Sequence, residues 1–279
     1  MNEKKIKYAL NFFDIHDIEY EKNCIDAVYK INSDLNLKLK VKEVFDELFY
    51  NDDDNRYNML VNKTNKELFD SELPFITNVI ILLAVSIYEK NSFLFNKEII
   101  LKQKKRIKES LTKEKNMNVR QMVWISHFIL GKIIEVGCLQ FQLTNVTYMG
   151  CNIKIHIPRG VDLNITNVIS SIKESKKIIK DSFKIDNPKY YCNSWMLGKN
   201  VRRYLNKDSN IYKFGNLFDI KENYESFDIL RFVFNIKDDD YTKLQEDTRL
   251  QRSIKKDLLN NEKLYNGIGI LKWKKIFIK

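Results

Sequence analysis

Residues 139–157 of the chain read LQFQLTNVTYMGCNIKIHI and contain two runs in which apolar and polar side chains alternate. In the first run, residues 139–144, the odd-numbered positions are apolar and the even-numbered positions are polar; residues 152–157 follow the same pattern. Alternation with a period of two is typical of a strand that buries one face. Two such strands so close in sequence predict an antiparallel hairpin with one buried and one polar face.

The polar face of this hairpin carries one histidine. Pairing that is symmetric about Tyr148 places His156 opposite Gln140 and Lys154 opposite Gln142, and any even shift of the register keeps these side chains on one face. A neutral imidazole in this position is suited to take a proton from an attacking amine. The alternative is that His156 is an ordinary exposed strand residue.

Upstream of the hairpin the apolar residues recur with helical spacing. The expected helices cover residues 41–49, an apolar stretch at 75–88 that begins after Pro74, a lysine-rich stretch at 97–111, and residues 119–135 with Gly137 as the terminating glycine. An acidic loop is expected at residues 52–55. The change of period at Gly137 predicts a helical N-terminal domain over residues 1–136 and a second domain over residues 137–279.

The second domain is predicted to be a mixed sheet flanked by helices, which makes the fold α/β or α+β. The apolar run from Leu230 to Phe234 favours a central strand. The order strand, strand, helix, strand then occurs twice in this domain, which suggests an internal duplication of topology. After the hairpin, the expected elements are a helix at 165–182, a strand at 190–194, a helix at 196–205, strands at 211–218 and 229–236, a helix at 249–259 and a strand at 268–273.

Composition excludes several classes of protein. The 279 residues are 44% hydrophobic, which is enough for a core and argues against general disorder. The net charge of +11 comes mostly from lysine beside abundant asparagine and isoleucine, as in compositionally biased genomes, so nucleic acid is not an expected partner. RNA binding by the lysine-rich helix at 97–113 is kept as a third option.

The cysteines and the N-terminus point to a cytoplasmic protein. The four cysteines have no paired CxxC spacing and no nearby histidine cluster, so neither a metal site nor a disulfide framework is expected. No secretory signal is visible after Met1, and the apolar stretch at 75–88 is too short for a membrane span.

Residues 247–252, DTRLQR, form a candidate phosphate site. Thr248 is a good N-cap, and Arg249 and Arg252 follow in the first turn, where cations oppose the helix macrodipole. Free backbone N–H groups and two guanidinium groups would suit a phosphate or pyrophosphate. An equally good explanation is a salt bridge from Arg252 to Asp247 or Asp257.

The remaining candidates have structural explanations beside the functional ones. Asp208 and Ser209 join a helix to a strand, where a turn is the default; alternatively, Asp208 orients a histidine and Ser209 bonds a substrate carbonyl. Cys192 has no visible base, so a buried small residue is favoured over a nucleophile. We expect His16 at the surface and His127 in a structural role.

Five ordered stretches resemble a bacterial family of acyltransferase-domain proteins. That family combines a helical N-terminal domain with a C-terminal domain of the GNAT-like N-acetyltransferase type. The matching stretches are GCLQFQ (137–142), HIPRG (156–160), CNSWML (192–197), DSNI (208–211) and DTRLQR (247–252).

The resemblance implies transfer of an acyl group from acyl-CoA to an amine of a small molecule or peptide. His156 would be the general base, with Gln140, Gln142 or Ser209 bonding the thioester carbonyl. The family pattern usually has a carboxylate where this chain has Gln142, and the glycine-rich pyrophosphate loop of ordinary acetyltransferases is absent. The helix that begins at Thr248 would then hold the phosphates. The alternative is a non-catalytic GNAT-like protein for ligand binding or interaction.

Overall fold

The structure is a computed structural model that describes residues 2–51, 60, 74–113, 115–235 and 240–277. The acidic loop expected at 52–55 lies outside these residues. The chain divides into two compact units, one formed by residues 1–135 with 144–146 and the other by residues 136–143 with 147–279.

The N-terminal unit is helical. Its helices are α1 (Glu3–Phe12), α2 (Ile18–Ser33), α3 (Leu35–Phe49), α4 (Ile76–Leu83), α5 (Val85–Ser92), α6 (Lys97–Lys113) and α7 (Val119–Ile129). Side chains of Asn2, Asp17, Asp34 and Asn118 cap α1, α2, α3 and α7, which satisfies backbone N–H groups that have no intrahelical partner. The apolar stripes of these helices form one buried core.

Two expectations for this unit are corrected. The apolar helix expected at 75–88 is two helices, because at Ala84 the chain makes a tight turn in which the Ala84 N–H donates to the Ile81 carbonyl at 3.1 Å. The helix expected to continue to residue 135 ends at Ile129, since Gly131 takes a left-handed conformation with φ of 69°. Residues 133–136, which include three β-branched side chains, form a strand instead.

A six-stranded mixed sheet follows, and it confirms the predicted fold class. Its strands are β1 (Ile133–Val136), β2 (Leu139–Tyr148), β3 (Cys151–His156), β4 (Tyr190–Ser194), β5 (Phe218–Glu225) and β6 (Tyr265–Leu271). They lie in the order β1-β2-β3-β4-β6-β5. β3 and β4 are parallel, as expected for strands joined by a helical crossover, whereas β2–β3, β4–β6 and β5–β6 are antiparallel.

The predicted hairpin is confirmed, including its register. Gln140 pairs with His156, and Gln142 pairs with Lys154. The turn itself is formed by residues 149 and 150, both at positive φ, so it is not centred on Tyr148. An irregularity in β2 between Leu143 and Tyr148 compensates for this difference and brings the expected residues into register.

Helix α8 (Ile165–Phe183) connects β3 to β4, as predicted, and covers the apolar face of the sheet. Its Ser175 hydroxyl lies 3.2 Å from the Tyr190 hydroxyl, and its Ser171 hydroxyl accepts from the Cys138 N–H at 3.0 Å. A Cβ atom at Gly137 would lie 2.1 Å from the Ser171 oxygen, and Gly137 also has a φ of 58°. Gly137 therefore serves the turn between β1 and β2 and the close approach of α8, rather than a helix end.

The later part of this unit differs from the expected strands. The segment at 211–218 is mostly helix α10 (Asn210–Gly215), and the apolar run at 229–236 contains a π-helix (Leu230–Phe234). This run buries Leu230 and Phe234 on one side of a helix and leaves Phe232 exposed, so it is not a central strand. The strands expected at 211–218 and 229–236 are therefore misplaced, and the suggested internal duplication is wrong.

The other helices of this unit are short apart from α11. A 3₁₀ turn (Trp195–Leu197) and α9 (Val201–Tyr204) occupy the helix expected at 196–205, and α11 (Arg249–Leu259) has the predicted bounds. A 3₁₀ turn (Tyr241–Lys243) and α12 (Lys274–Phe277) complete the unit. Among the described residues, no helix combines the length and apolar character needed to cross a membrane.

Candidate functional site

The face of the sheet opposite α8 carries polar side chains. Even-numbered residues of β2 and β3 project from it, while Ile153 and Ile155 project from the apolar face and are buried. Because Lys154 pairs with Tyr191, residues two positions further along each strand also project from this face. We call this surface the polar face: Gln140, Gln142, Lys154, His156, Tyr191 and Asn193.

His156 and Gln142 are hydrogen-bonded on the polar face, with 2.8 Å between the imidazole Nε2 and the amide Oε1. They lie diagonally across the β2–β3 pair, within reach of long side chains. With the amide oxygen as acceptor, Nε2 carries the proton, and Nδ1 of the neutral ring holds a lone pair. Gln142 thus fixes the tautomer of a half-buried imidazole and leaves it able to accept a proton.

His156 lies where the parallel strands β3 and β4 separate. Their pairing ends at Ile155 and Cys192, whereas β4 continues for two more residues along β6, as far as Ser194 opposite Gly267. The sheet is therefore open between β3 and the end of β4. This opening and the imidazole are at the same end of the sheet.

Three more polar side chains form a cluster with Asn193 beside this end of the polar face. The Tyr224 hydroxyl donates to Asn193 Oδ1 at 2.9 Å and lies 3.2 Å from the Asn266 amide nitrogen. Asn266 also donates to the Asp228 carboxylate at 2.6 Å. We call Asn193, Tyr224, Asp228 and Asn266 the asparagine cluster. This cluster was not predicted from the sequence, and its one local signal is a polar Asn266 within the apolar stretch at 264–271.

Comparison with known proteins identifies the domain that carries these residues. Residues 133–271 match the family model of the GNAT-like C-terminal domain. This part of the chain is similar to that family. The match confirms the GNAT-like domain predicted from the five stretches of sequence.

Solved structures extend the likeness to the whole chain. An acyltransferase mutant in complex with octanoyl-CoA has a TM-score of 0.76 at 16% identity, covering 96% of this chain and 88% of its own. An acyltransferase in complex with decanoyl-CoA has a TM-score of 0.67 at 19% identity, with 83% and 76% covered. A complex of an acyltransferase with decanoyl-CoA and teicoplanin has a TM-score of 0.62 at 15% identity, with 98% and 99% covered. At these identities the likeness establishes the fold. No curated protein matches the chain by sequence.

In the GNAT-like domain, Asp208 and Ser209 take part in a turn and a helix cap. The Ser209 hydroxyl donates to the Asn206 carbonyl at 2.7 Å and accepts from the Tyr212 N–H at 3.3 Å. Asp208 is exposed, and its backbone N–H donates to Asn206 Oδ1 at 3.1 Å. In the described part of the chain Asp208 and Ser209 thus bond to Asn206 and Tyr212, and neither residue forms a hydrogen bond with His156.

The helix that Ser209 caps packs on the apolar face. Phe214 of α10 contacts Phe218 with ring centroids 5.0 Å apart. The register through β4 and β6 puts Phe218 on the same face as Ile155, which is opposite to that of His156. His156 and Gln142 are thus brought together, whereas the body of α10 lies across the sheet from them.

Thr248 caps α11 as predicted. Its hydroxyl accepts from the Gln251 N–H at 3.1 Å, and the Gln251 side chain accepts from the Thr248 N–H at 2.8 Å, which completes a capping box. Arg252 donates to the Glu246 and Asp247 carbonyls at 2.7 and 3.3 Å, so it forms neither of the expected salt bridges. Arg249 is exposed and has no hydrogen bond or ion pair with any described residue.

The cysteine and histidine candidates outside the polar face lie in the surroundings expected from the sequence. Burial raises the pKa of Cys192 to about 12, so its sulfur is a thiol at neutral pH. His16 is exposed and bonds to Asp14 at 2.8 Å, and His127 is buried, as expected. No group of three or more potential ligands among the described residues is placed to hold a metal ion.

Lysines of the lysine-rich helix α6 contact other residues of the N-terminal unit. Lys102 pairs with Glu98 at 2.8 Å, and Lys108 pairs with Asp14 at 2.9 Å. Lys104 lies 3.5 Å from the centroid of the Phe12 ring. These contacts explain the basic face of α6 without an RNA ligand.

Proposed function

We propose that the chain is an acyltransferase that moves an acyl group from acyl-CoA to an amine of a small molecule or peptide. The observation that carries this proposal is the His156–Gln142 pair at the open end of β3 and β4, in a GNAT-like domain. The acyl-CoA complexes of structurally similar acyltransferases support the choice of acyl donor.

In the proposed reaction, the amine nitrogen attacks the thioester carbonyl. The new C–N bond forms, the C–S bond breaks, and CoA leaves as a thiolate. His156 accepts the proton from the attacking nitrogen at Nδ1 while Gln142 holds Nε2. The proton then passes to the departing sulfur or to water. In this proposal Gln140, which is buried on the same face beside His156, would donate its amide N–H to the thioester oxygen in the transition state.

The opening between β3 and β4 suits the amide-containing arm of CoA. An extended chain with amide groups pairs with the backbone of a strand edge, and β4 offers such an edge beyond Cys192. The phosphates are proposed to bind at the start of α11, near Thr248, Arg249 and Arg252. The net charge of +11 favours capture of a polyanion.

Asp208 and Ser209, which were candidates for orienting a histidine and bonding a substrate carbonyl, have a structural role in this proposal. Their hydrogen bonds shape the turn before α10, and the helix they introduce packs on the opposite face of the sheet. Within the proposal, His156 is the base, Gln142 positions it, and Gln140 donates to the thioester oxygen. No metal is required.

The binding half of the proposal is tested by calorimetric titration with CoA, octanoyl-CoA and decanoyl-CoA. We expect an acyl-CoA to bind the wild-type chain and the His156→Ala variant with similar affinity. Binding that is absent for all three compounds, in protein that still melts cooperatively, would contradict the proposal.

The catalytic half is tested by release of free CoA thiol in the presence of a panel of primary amines. His156→Ala should lower kcat about 100-fold, a typical loss for removal of a general base, and His16→Ala is the matched control that should change nothing. Acyl-CoA binding without turnover in the wild type would favour the alternative, a non-catalytic ligand-binding protein.

The organisation and location of the chain complete the proposal. We place the boundary between a helical domain and the GNAT-like domain after residue 136. The four cysteines are free, which fits a reducing compartment such as the cytoplasm.

A further inference from the structure

The asparagine cluster contains a buried polar atom without a partner. Asn266 is 2% exposed, and its amide nitrogen is fully used by Asp228 and Tyr224. Its amide oxygen is buried and has no hydrogen-bond partner among the described residues. Leaving such an acceptor unpaired costs free energy, so a buried group of this kind indicates a missing donor.

Asp228 beside it has unused acceptor capacity. This half-buried carboxylate receives one side-chain hydrogen bond, from Asn266, and forms no ion pair with any described lysine or arginine. A carboxylate and an unpaired amide oxygen held together by a 2.6 Å hydrogen bond form a site for a cationic donor.

The cluster lies on the same face and at the same end of the sheet as His156. Asn193 follows Tyr191 by two residues, and the Tyr224 hydroxyl connects Asn193 to Asn266. Strand spacing and rise place the backbone positions of His156 and Asn266 about 12 Å apart, because two strand intervals and two residues separate them. Side chains that project from one face at this backbone separation suit two different nitrogen atoms of one acceptor.

We propose that Asp228 and Asn266 bind a second, protonated amino group of the acceptor while the reacting amine lies at His156. This inference rests on the proposed acyl transfer and names its substrate class as a diamine. The bound ammonium donates to the Asp228 carboxylate and to Asn266 Oδ1 and takes no part in bond formation. The neutral amine at the other end forms the amide.

Turnover of matched amines tests the inference. With decanoyl-CoA as donor, we expect kcat/KM of the wild type to be at least tenfold higher for 1,8-diaminooctane than for octylamine. Asp228→Asn should lower the diamine value about tenfold, in line with the loss of a charge-assisted hydrogen bond, and leave octylamine unchanged. Asp219→Asn is the control for charge, because Asp219 on β5 already pairs with Lys221.

The length of the diamine adds a second criterion. Across the series from 1,4-diaminobutane to 1,10-diaminodecane, a fixed separation between the two sites predicts a maximum of kcat/KM at one length. Equal kcat/KM for diamine and monoamine, or an equal effect of Asp228→Asn on both, would overturn the inference.

Direct binding separates this inference from the proposed function. Titration of 1,8-diaminooctane into the chain without acyl-CoA should give binding that Asp228→Asn weakens and Asp219→Asn does not. If decanoyl-CoA fails to bind but the diamine binds in this way, the ammonium site is supported and acyl transfer is contradicted. If decanoyl-CoA is turned over but the diamine binds no better than octylamine, acyl transfer is supported and the ammonium site is wrong.

Discussion

Two buried asparagines, one in each unit, differ in how their side chains are satisfied. Asn78 in the N-terminal unit donates to the Tyr20 hydroxyl and to the Leu111 carbonyl, both at 2.9 Å, and lies 3.3 Å from the Thr77 hydroxyl. Asn266 in the GNAT-like domain has both donors used and its oxygen unpaired. The first arrangement holds helices together, whereas in our proposal the second is completed by the ammonium group of the acceptor.

The neighbours of Asn78 show the same saturation. The Tyr20 hydroxyl also donates to the Leu111 carbonyl at 2.9 Å, and the Thr77 hydroxyl accepts from the Met117 N–H at 2.7 Å. Burial raises the pKa of Tyr20, so its hydroxyl stays protonated and able to donate. A closed network of this kind stabilises one arrangement of α2, α4 and α6.

Truncation of the saturated asparagine should have the larger effect on stability. Asn78→Ala removes several hydrogen bonds at a fully buried position and leaves a cavity, so we expect the free energy of unfolding to fall by about 3 kcal/mol. Urea denaturation of the full chain, followed by circular dichroism, measures the change. A loss below about 1 kcal/mol would show that this network is not structural.

Truncation of the unsaturated asparagine should cost less. Asn266→Ala removes two hydrogen bonds but also removes an unpaired buried oxygen, and water can reach the half-buried Asp228 and the exposed Tyr224. We expect the free energy of unfolding to fall by about 1 kcal/mol or less in the same urea experiment. A loss as large as that of Asn78→Ala would remove the contrast between the two sites.

Much of the fold could be predicted where local signals agreed. The alternation in β2 and β3 was enough to predict the hairpin and its polar face, and Thr248 marked the start of α11. The predicted register is observed because the irregularity before Tyr148 offsets the displaced turn. The prediction of a central strand at 230–234 was wrong because an apolar segment without periodicity suits a buried strand and a partly buried helix equally. The predicted end of the helix at 119–135 was wrong because two glycines were available to terminate it, and the helix ends before Gly131 rather than before Gly137.

The candidate site was also predictable from the sequence only in part. His156 and Gln142 lie on one hairpin, so their common face followed from the sequence pattern. The asparagine cluster joins β4, β5, β6 and the segment after β5. Strands were predicted at 211–218 and 229–236 instead of at β5, so the position of Tyr224 on a strand was not predicted. No local pattern contains such contacts between distant residues.

The most direct test of the proposed base is the pH dependence of kcat/KM in the wild type and in Gln142→Glu. A carboxylate beside His156 favours the imidazolium and raises its pKa, so the rise of kcat/KM with increasing pH should move about one unit higher in the variant. Both enzymes are assayed with the same acyl-CoA and the same amine, so the titration of the amine cancels. Identical profiles for the two enzymes would contradict the account, because a base held by Gln142 at 2.8 Å must respond to the new charge.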